Sequence, residues 1–433
     1  MHSVIAATKG LLRPQWASRT ELVPAYEQAF VRTLLDGKGN AMAFGRGRVA
    51  LWAILKAIGV DAGSEVILPS YTCETVPMAV KFAKATCVYA DPAPGVYNVC
   101  PRDVEALITS RTRAIICQHT YGIVQPVREW IRLAAERNVF LIEDRCQLIQ
   151  NDLPGDGEPA FGDAAYFSTH FSKPFSTTQG GVAVFREARI HAAAGDIREQ
   201  FPRDRERRQT RSLAIQTLLY SIVARPTTRA LAGNLYRWAQ RAGLIRGSIS
   251  TEEYGVEMPP DYLSRAANLQ AALGVVQLAG WQENRRHREQ LTRLYLDRLE
   301  RLGMDIRALS PGGGCPALLM VPVLVENKEQ VLRGAMSRGL PIGTWFDRPG
   351  AHVQTRSAWL YDYTPGQCPR TEYLMSKEVH LLTGPWVSPK RAERAVRFLS
   401  RYARLTDPGK SSVHADSLRS DARQSGVAVG SEG

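Results

Sequence analysis

Between Gly45 and Phe185 the chain alternates short apolar runs with helical patterns. That alternation limits the folds open to it more than any other feature. Glu65-Val66-Ile67-Leu68 reads as a strand stopped by Pro69, and Cys87 to Ala90 as one stopped by Asp91-Pro92. Ala114-Ile115-Ile116-Cys117, then Val139-Phe140-Leu141-Ile142 before Glu143-Asp144, continue the series. Among them, Gly45 to Gly59 reads as a glycine-led turn opening a helix, with Val49, Ala50, Ile54 and Leu55 on its apolar side. Met78 to Lys84 and Val127 to Arg137 also have helical spacing. Such alternation gives a mainly parallel sheet with helices on both faces. Ligands of such sheets sit at the carboxyl ends of the strands. Pro69-Ser70, His119, Asp144 and Ser168 all fall just past strand ends, so one rim is expected to collect them.

The densest stretch is FGDAAYFSTHFSKPFSTTQGGVAVF, Phe161 to Phe185. A strand-like run, Ala164 to Phe167, leads into Ser168, and a polar loop then carries Lys173. Gly180-Gly181 precedes a second apolar run, Val182 to Phe185. A lysine bracketed by two strands is either a solvated loop charge or a nucleophile on a rigid scaffold.

The rest of the chain divides by pattern. Residues 1–20 read as an extended arm and Glu21 to Leu35 as a helix. A large domain is expected over 21–290, with an arginine-rich insertion at 186–250. That insertion has no lysine from Arg186 to Arg246, and the apolar stretch Leu213 to Ala224 interrupts it. The cluster Arg203, Arg205, Arg207, Arg208 and Arg211 is either a solvated helix face or a contact for an anionic surface. Asn268 to Leu302 is a long helical pattern, read as the connector into a smaller domain over 291–406. That domain has strand signals at Ala317 to Val325 and helices at Lys328 to Arg338 and Ser388 to Arg404. The 407–433 segment has no periodicity and reads as a disordered tail.

A length of 433 residues suffices for two such cores. The formal net charge of +13 favours anionic partners: a phosphorylated cofactor, a nucleotide-linked substrate, nucleic acid or an acidic membrane surface. No aromatic-interleaved basic motif or reader signature appears, so nucleic acid is not expected as a partner. The seven cysteines form no CxxC pair and no zinc spacing, which fits reduced thiols in a cytoplasm and no metal site. No signal-peptide layout opens the chain, and Leu213 to Ala224 is too short to span a bilayer.

The strand-end residues form an ordered set. Gly45-Arg46-Gly47-Arg48 comes first, then Pro69-Ser70-Tyr71-Thr72-Cys73. His119-Thr120-Tyr121-Gly122 and Glu143-Asp144-Arg145-Cys146-Gln147 follow, and Ser168, Lys173 and Gly180-Gly181 close it. With ANLQAALGVVQL (Ala267 to Leu278) and the stretch around Gly366-Gln367-Cys368-Pro369, the chain resembles the DegT/DnrJ/EryC1/StrS family of sugar aminotransferases. These are pyridoxal 5'-phosphate enzymes of aminotransferase fold type I. The resemblance runs from about Glu21 to about Tyr402, with the arginine-rich segment poorly covered.

The resemblance implies an α/β chain: a three-layer large domain with a mainly parallel sheet, plus a smaller α/β C-terminal domain. It implies that Lys173 forms the Schiff base with the cofactor and that Asp144 keeps the pyridine nitrogen protonated. Gln147 matches a donor to the cofactor's phenolic oxygen. Gly47, Arg48 and Ser168 lie where the family holds the phosphate, Arg48 replacing a threonine. Cys73 stands where an aromatic residue covers the ring. Arg145 replaces a small residue, and Leu263 an asparagine that reaches a neighbouring subunit's phosphate. His119, Tyr121 and Trp345 are the substrate-side candidates; His119 reads equally as a core histidine, and Trp345 and Phe346 as core aromatics, with His352 near them. The family implies a homodimer that uses glutamate to aminate the keto group of a nucleotide-linked sugar. The departures leave a second reading open, a non-sugar ketone or another reaction of the same cofactor.

Overall fold

The computed structural model describes residues 21–149, 161–202, 206–223, 256–311, 315–345 and 361–406. The expected arm at 1–20, the tail at 407–433, most of the arginine cluster, Phe346 and His352 lie outside the described residues or side chains.

In chain order the elements are α1 (Leu22–Leu34), β1 (Asn40–Phe44), α2 (Gly47–Ala57), β2 (Glu65–Pro69), α3 (Thr75–Phe82) and β3 (Thr86–Ala90). Next come α4 (Pro101–Glu105), β4 (Thr112–Gln118), α5 (Val127–Arg137), β5 (Phe140–Asp144), β6 (Ala164–Ser168) and β7 (Gly181–Phe185). Then follow α6 (Ala188–Glu199), α7 (Glu206–Val223), α8 (Asn268–Ala279) and α9 (Trp281–Arg301). The last are β8 (Met320–Leu324), α10 (Lys328–Ser337), β9 (Ile342–Gly343), α11 (Pro369–Lys377), β10 (Glu378–Leu382) and α12 (Pro389–Tyr402).

Strands β1 to β7 form one sheet in the order β1-β7-β6-β5-β4-β2-β3. The run from β3 to β6 is parallel, while β7 pairs antiparallel with both β6 and β1. The expected mainly parallel α/β sheet is therefore present, with an antiparallel edge. Its burial pattern shows why the strands read as continuous apolar runs. On β4, Ala114 and Ile116 enter the largest core while Ile115 and Cys117 pack under Trp130 of α5. On β7, Ala183 and Phe185 join the largest core while Val182 and Val184 meet Phe30 and Leu34 of α1. Alternate side chains feed opposite layers, so both faces exclude water. Each large side chain buried in this way contributes roughly 1.5–3 kcal/mol.

A second sheet, β8-β10-β9, is antiparallel throughout. The long pattern at Asn268 to Leu302 is two helices, α8 and α9, separated at Gly280. The division expected at 290/291 falls inside α9, one uninterrupted helix. Strand β1 had no counterpart in the sequence pattern; it is held by its pairing to β7. Among the described residues, no helix is long and apolar enough to cross a membrane.

Candidate active site

The carboxyl ends of β4, β5 and β6 open onto a cavity of about 550 Å³. Asp144 and Ser168 are the last residues of β5 and β6, so the strand ends themselves deliver them to its wall. Lys173, Gln147, Gly47, Arg48, Cys73 and Trp345 line the same cavity. Of the strand-end residues expected at one rim, Asp144 and Ser168 line this cavity, while Pro69, Ser70 and His119 do not.

Alternation along β5 sorts its two acids. Asp144 faces the cavity and is buried. Its Oδ1 accepts the Cys146 amide at 2.9 Å, and its Oδ2 accepts the Tyr166 hydroxyl from β6. Burial, then the carboxylate of Asp144, pushes the Tyr166 phenol well above its ordinary pKa, so it stays a donor. Glu143 faces the other way. Its Oε2 accepts from Arg145 Nε at 2.8 Å and from His119 Nε2 at 3.0 Å, and its Oε1 from the Gly162 amide at 2.6 Å. Burial alone would raise the Glu143 carboxyl, but Arg145 and His119 outweigh it and hold the pKa down to about 2. Arg145 is therefore committed to a buried ion pair, which accounts for a large cation next to Asp144.

The lysine lies on the loop between β6 and β7. Its backbone amide donates to the His170 carbonyl at 2.9 Å. Its Nζ stands 5.4 Å from the centroid of Trp345. Gln147 Oε1 accepts the Tyr121 amide at 2.7 Å, which leaves its NH2 as the donor end at the cavity.

Beside Ser168, α2 begins at Gly47, so its first-turn amides are unclaimed by the helix itself. A Cβ on Gly47 would lie 3.0 Å from Ser168 Cβ and 3.1 Å from its Oγ. A Cβ on Gly181 would come within 2.4 Å of Gly47 Cα. The helix start is therefore pressed against β6 and β7 at a spacing only glycine permits, with the Ser168 hydroxyl beside it. Arg46 and Arg48 add charge at this end; their guanidinium carbons lie 4.4 and 4.9 Å from the ring centroid of buried Tyr262. Arg48 Nη1 also reaches Tyr262 Oη at 3.3 Å. Amides, a hydroxyl and two cations make this wall a cradle for a phosphate group. Leu263, beside Tyr262, is half-buried against the main core.

The same cavity also offers a buried acid, a lysine and an amide donor. That donor set fits pyridoxal 5'-phosphate. Cys73 lines the cavity as well, accepting the Thr75 hydroxyl at 3.3 Å.

Two expectations are corrected. His119 and Tyr121 do not line the cavity. His119 is buried, with Nδ1 accepting the Gln125 amide at 3.1 Å and Nε2 bonded to Glu143, so its ring belongs to the buried ion pair. Tyr121 is buried, with its hydroxyl 2.6 Å from that of Tyr71. It touches the site from behind: its ring lies 5.7 Å from Trp345 and its amide holds Gln147.

Sequence reasoning missed Tyr166, His170, Gln118 and Gln179 as cavity residues. Gln118 is the last residue of β4, a signal that was available; Tyr166 lies inside β6, two residues before its end. Burial, then Lys173, Arg46 and Arg48, lowers the His170 imidazole pKa to about 3, so it is neutral at the cavity. Gln179 depends on α7: its Nε2 donates to Gln216 Oε1 at 2.7 Å. Beside it Thr178, at φ +74°, shares a 2.6 Å hydroxyl contact with Thr217.

A family model described as the DegT/DnrJ/EryC1/StrS aminotransferase family matches residues 2–400. GDP-perosamine synthase of Escherichia coli O157:H7 is 32% identical over 35% of this chain and 42% of its own length. L-glutamine:2-deoxy-scyllo-inosose aminotransferase of Streptomyces fradiae is 32% identical over 38% of this chain and 39% of its own. The chain thus spans less than half the length of these relatives. A crystal structure of a DegT DnrJ EryC1 StrS aminotransferase from Brucella abortus superposes with a TM-score of 0.67 at 20% identity, covering 93% of this chain and 95% of that one. That likeness establishes the shared fold.

Proposed function

The chain belongs to the DegT/DnrJ/EryC1/StrS aminotransferase family, and from that premise we propose that it is a pyridoxal-phosphate-dependent aminotransferase acting on the keto group of a nucleotide-linked sugar, with glutamate as amino donor. The observation that supports the proposal is that Lys173 and Asp144 line one cavity together with Gly47, Arg48 and Ser168. When bound, the cofactor supplies an electron sink for the carbon that gains or loses its amine. The protein supplies the rest.

Lys173 would hold the cofactor covalently through Nζ, and the same amine would move a proton at the reacting carbon. Asp144 would keep a proton on the ring nitrogen. Gln147 donates its NH2 toward the ring oxygen. The first-turn amides of α2, Ser168 and Arg48 bind the phosphate. Trp345 covers the lysine side and excludes water. Arg46, at the same cavity, suits the phosphates of a nucleotide-linked substrate.

A second reading is favoured by the name of the Streptomyces fradiae relative, whose ketone carries no nucleotide and whose donor is glutamine. One assay separates the two. Purified protein with pyridoxal phosphate is given glutamate or glutamine, then keto-sugar nucleotides or a free cyclitol ketone. Amine formed only on the nucleotide-linked substrates supports the proposal; amine formed only on the free ketone replaces it with the second reading. No conversion of the cofactor to its amine form with either donor rules out transamination.

A further inference from the structure

Helix α9 places Asn284 and Arg288 one turn apart on the same face, at i and i+4. Arg288 is only 2% exposed, and among the described residues its hydrogen-bond partners are all neutral. Its Nε donates to Asn284 Oδ1 at 2.8 Å. Its Nη1 donates to the Leu319 carbonyl at 3.3 Å and to Thr383 Oγ1 at 3.0 Å. Burial lowers the guanidinium pKa to about 10, so the group is still a cation near neutrality. Burying a cation with only neutral partners costs more than packing an apolar side chain of the same size. Packing alone therefore does not account for Arg288; the direction of its donors does.

Those donors lead to the cavity by two routes. Asn284 Nδ2 donates to the Pro174 carbonyl at 2.8 Å, one residue beyond Lys173. A guanidinium only donates and a carbonyl only accepts, so a single orientation of the Asn284 amide satisfies both. Without Arg288 nothing on this face selects that orientation, and the hold on the lysine loop is lost. The second route is through the main chain. Leu319, whose carbonyl Arg288 holds, gives its amide to the Tyr121 carbonyl at 2.9 Å, and the Tyr121 amide holds Gln147. Tyr121 has φ +60°, the left-handed region, where a tyrosine stays only if its surroundings fix it.

We propose that Arg288 is a positioning residue for the active site, fixing the Lys173 loop through Asn284 and the Gln147 amide through Leu319 and Tyr121. The inference rests on the reading of Lys173 as the cofactor's anchor. Lysine cannot take the place of Arg288, because an ammonium lacks the planar fork that reaches Asn284 and Leu319 together.

The test compares wild type, Arg288→Lys, Asn284→Ala and the double variant, each loaded with pyridoxal phosphate. Each single variant should speed amide exchange across residues 170–176 several-fold. Each should also slow the appearance of the bound cofactor's absorbance band several-fold, and lower kcat about tenfold with a smaller change in KM. The double variant should be no worse than Arg288→Lys alone, since the two residues act in series. The inference is overturned if Arg288→Lys folds with wild-type exchange and a wild-type band, or if the two single losses add in the double variant. If Arg288→Lys does not fold, Asn284→Ala decides: unchanged exchange across 170–176 overturns the inference. A wild type that forms no such band refutes the Lys173 reading instead, and amide exchange alone then decides the role of Arg288.

Discussion

The Nζ of Lys173 stands 5.4 Å from the indole centroid of Trp345, although the two arrive from different sheets. Lys173 comes from the loop between β6 and β7. Trp345 follows β9, and its amide is held by the buried carboxylate of Glu378 on β10 at 3.4 Å. The lysine loop is therefore roofed by the small sheet.

Replacing that roof should weaken substrate binding more than chemistry. Trp345→Ala is expected to raise KM for the keto substrate about tenfold while kcat falls less, and Trp345→Phe should restore most of it. Steady-state kinetics on the three proteins measure this.

Tyr166 donates to Asp144 and touches no substrate in this account, so it is a positioning residue. Removing its hydroxyl leaves one carboxylate oxygen without its donor, a change of about 1.5–3 kcal/mol for a charged acceptor. A carboxylate that loses a donor becomes more basic. Tyr166→Phe should therefore move the pH-dependent absorbance transition of the bound cofactor, with a fall in kcat/KM of about tenfold or more. A pH titration of the spectrum that matches the wild type would refute the role.

The buried Glu143 makes a prediction about acid. Its carboxyl titrates at 4.5 when unperturbed and at about 2 in the fold. The folded value is depressed, so its contribution is complete above 4.5 and is lost as pH falls from there through 2. Urea melts across that range should show the loss, and Glu143→Gln should flatten that part of the profile. Arg145→Ala leaves the carboxylate buried beside His119 alone and should cost about 3–5 kcal/mol near neutrality.

The brace from α7 should be separable from the chemistry. Thr178 sits in the left-handed region at φ +74°, where a threonine is strained, and Thr217 holds it. Gln216→Ala should free Gln179, speed amide exchange across residues 176–181 and weaken cofactor binding several-fold. Thr178→Gly should relieve the strain without that loss, measured by hydrogen exchange and a cofactor titration.

The phosphate cradle depends on contact between backbones. Gly181→Ala would drive a methyl to 2.4 Å from Gly47 Cα, where no flexible side chain can yield. The expected cost is about 1–3 kcal/mol of stability, and the separation of α2 from β6 should weaken cofactor binding further. Thermal melts and phosphate competition against pyridoxal phosphate test the two parts.

The large sheet was legible because its strands are buried on both faces and three of them end at Pro69, Asp144 and Ser168. Strand β1, NAMAF, was not: its alanines carry little strand signal, and only the pairing to β7 makes it one. Strand β10 escaped notice because Glu378 and His380 interrupt its apolar run; inside the fold they pair with each other at 2.9 Å. Strand-end position and the resemblance together pointed to Asp144 and Ser168, while position alone left His119 open between the substrate side and the core. A residue just past a strand can turn to either side of the sheet, and the Glu143–Arg145 pair, which turns His119 away, is visible only in three dimensions.

The most direct test of the central claim is to reduce pyridoxal-phosphate-loaded protein with borohydride and map the modified peptide by mass spectrometry. A single pyridoxyl-phosphate adduct on Lys173, missing in Lys173→Ala, is the predicted result. No adduct, or one on a different lysine, would contradict it.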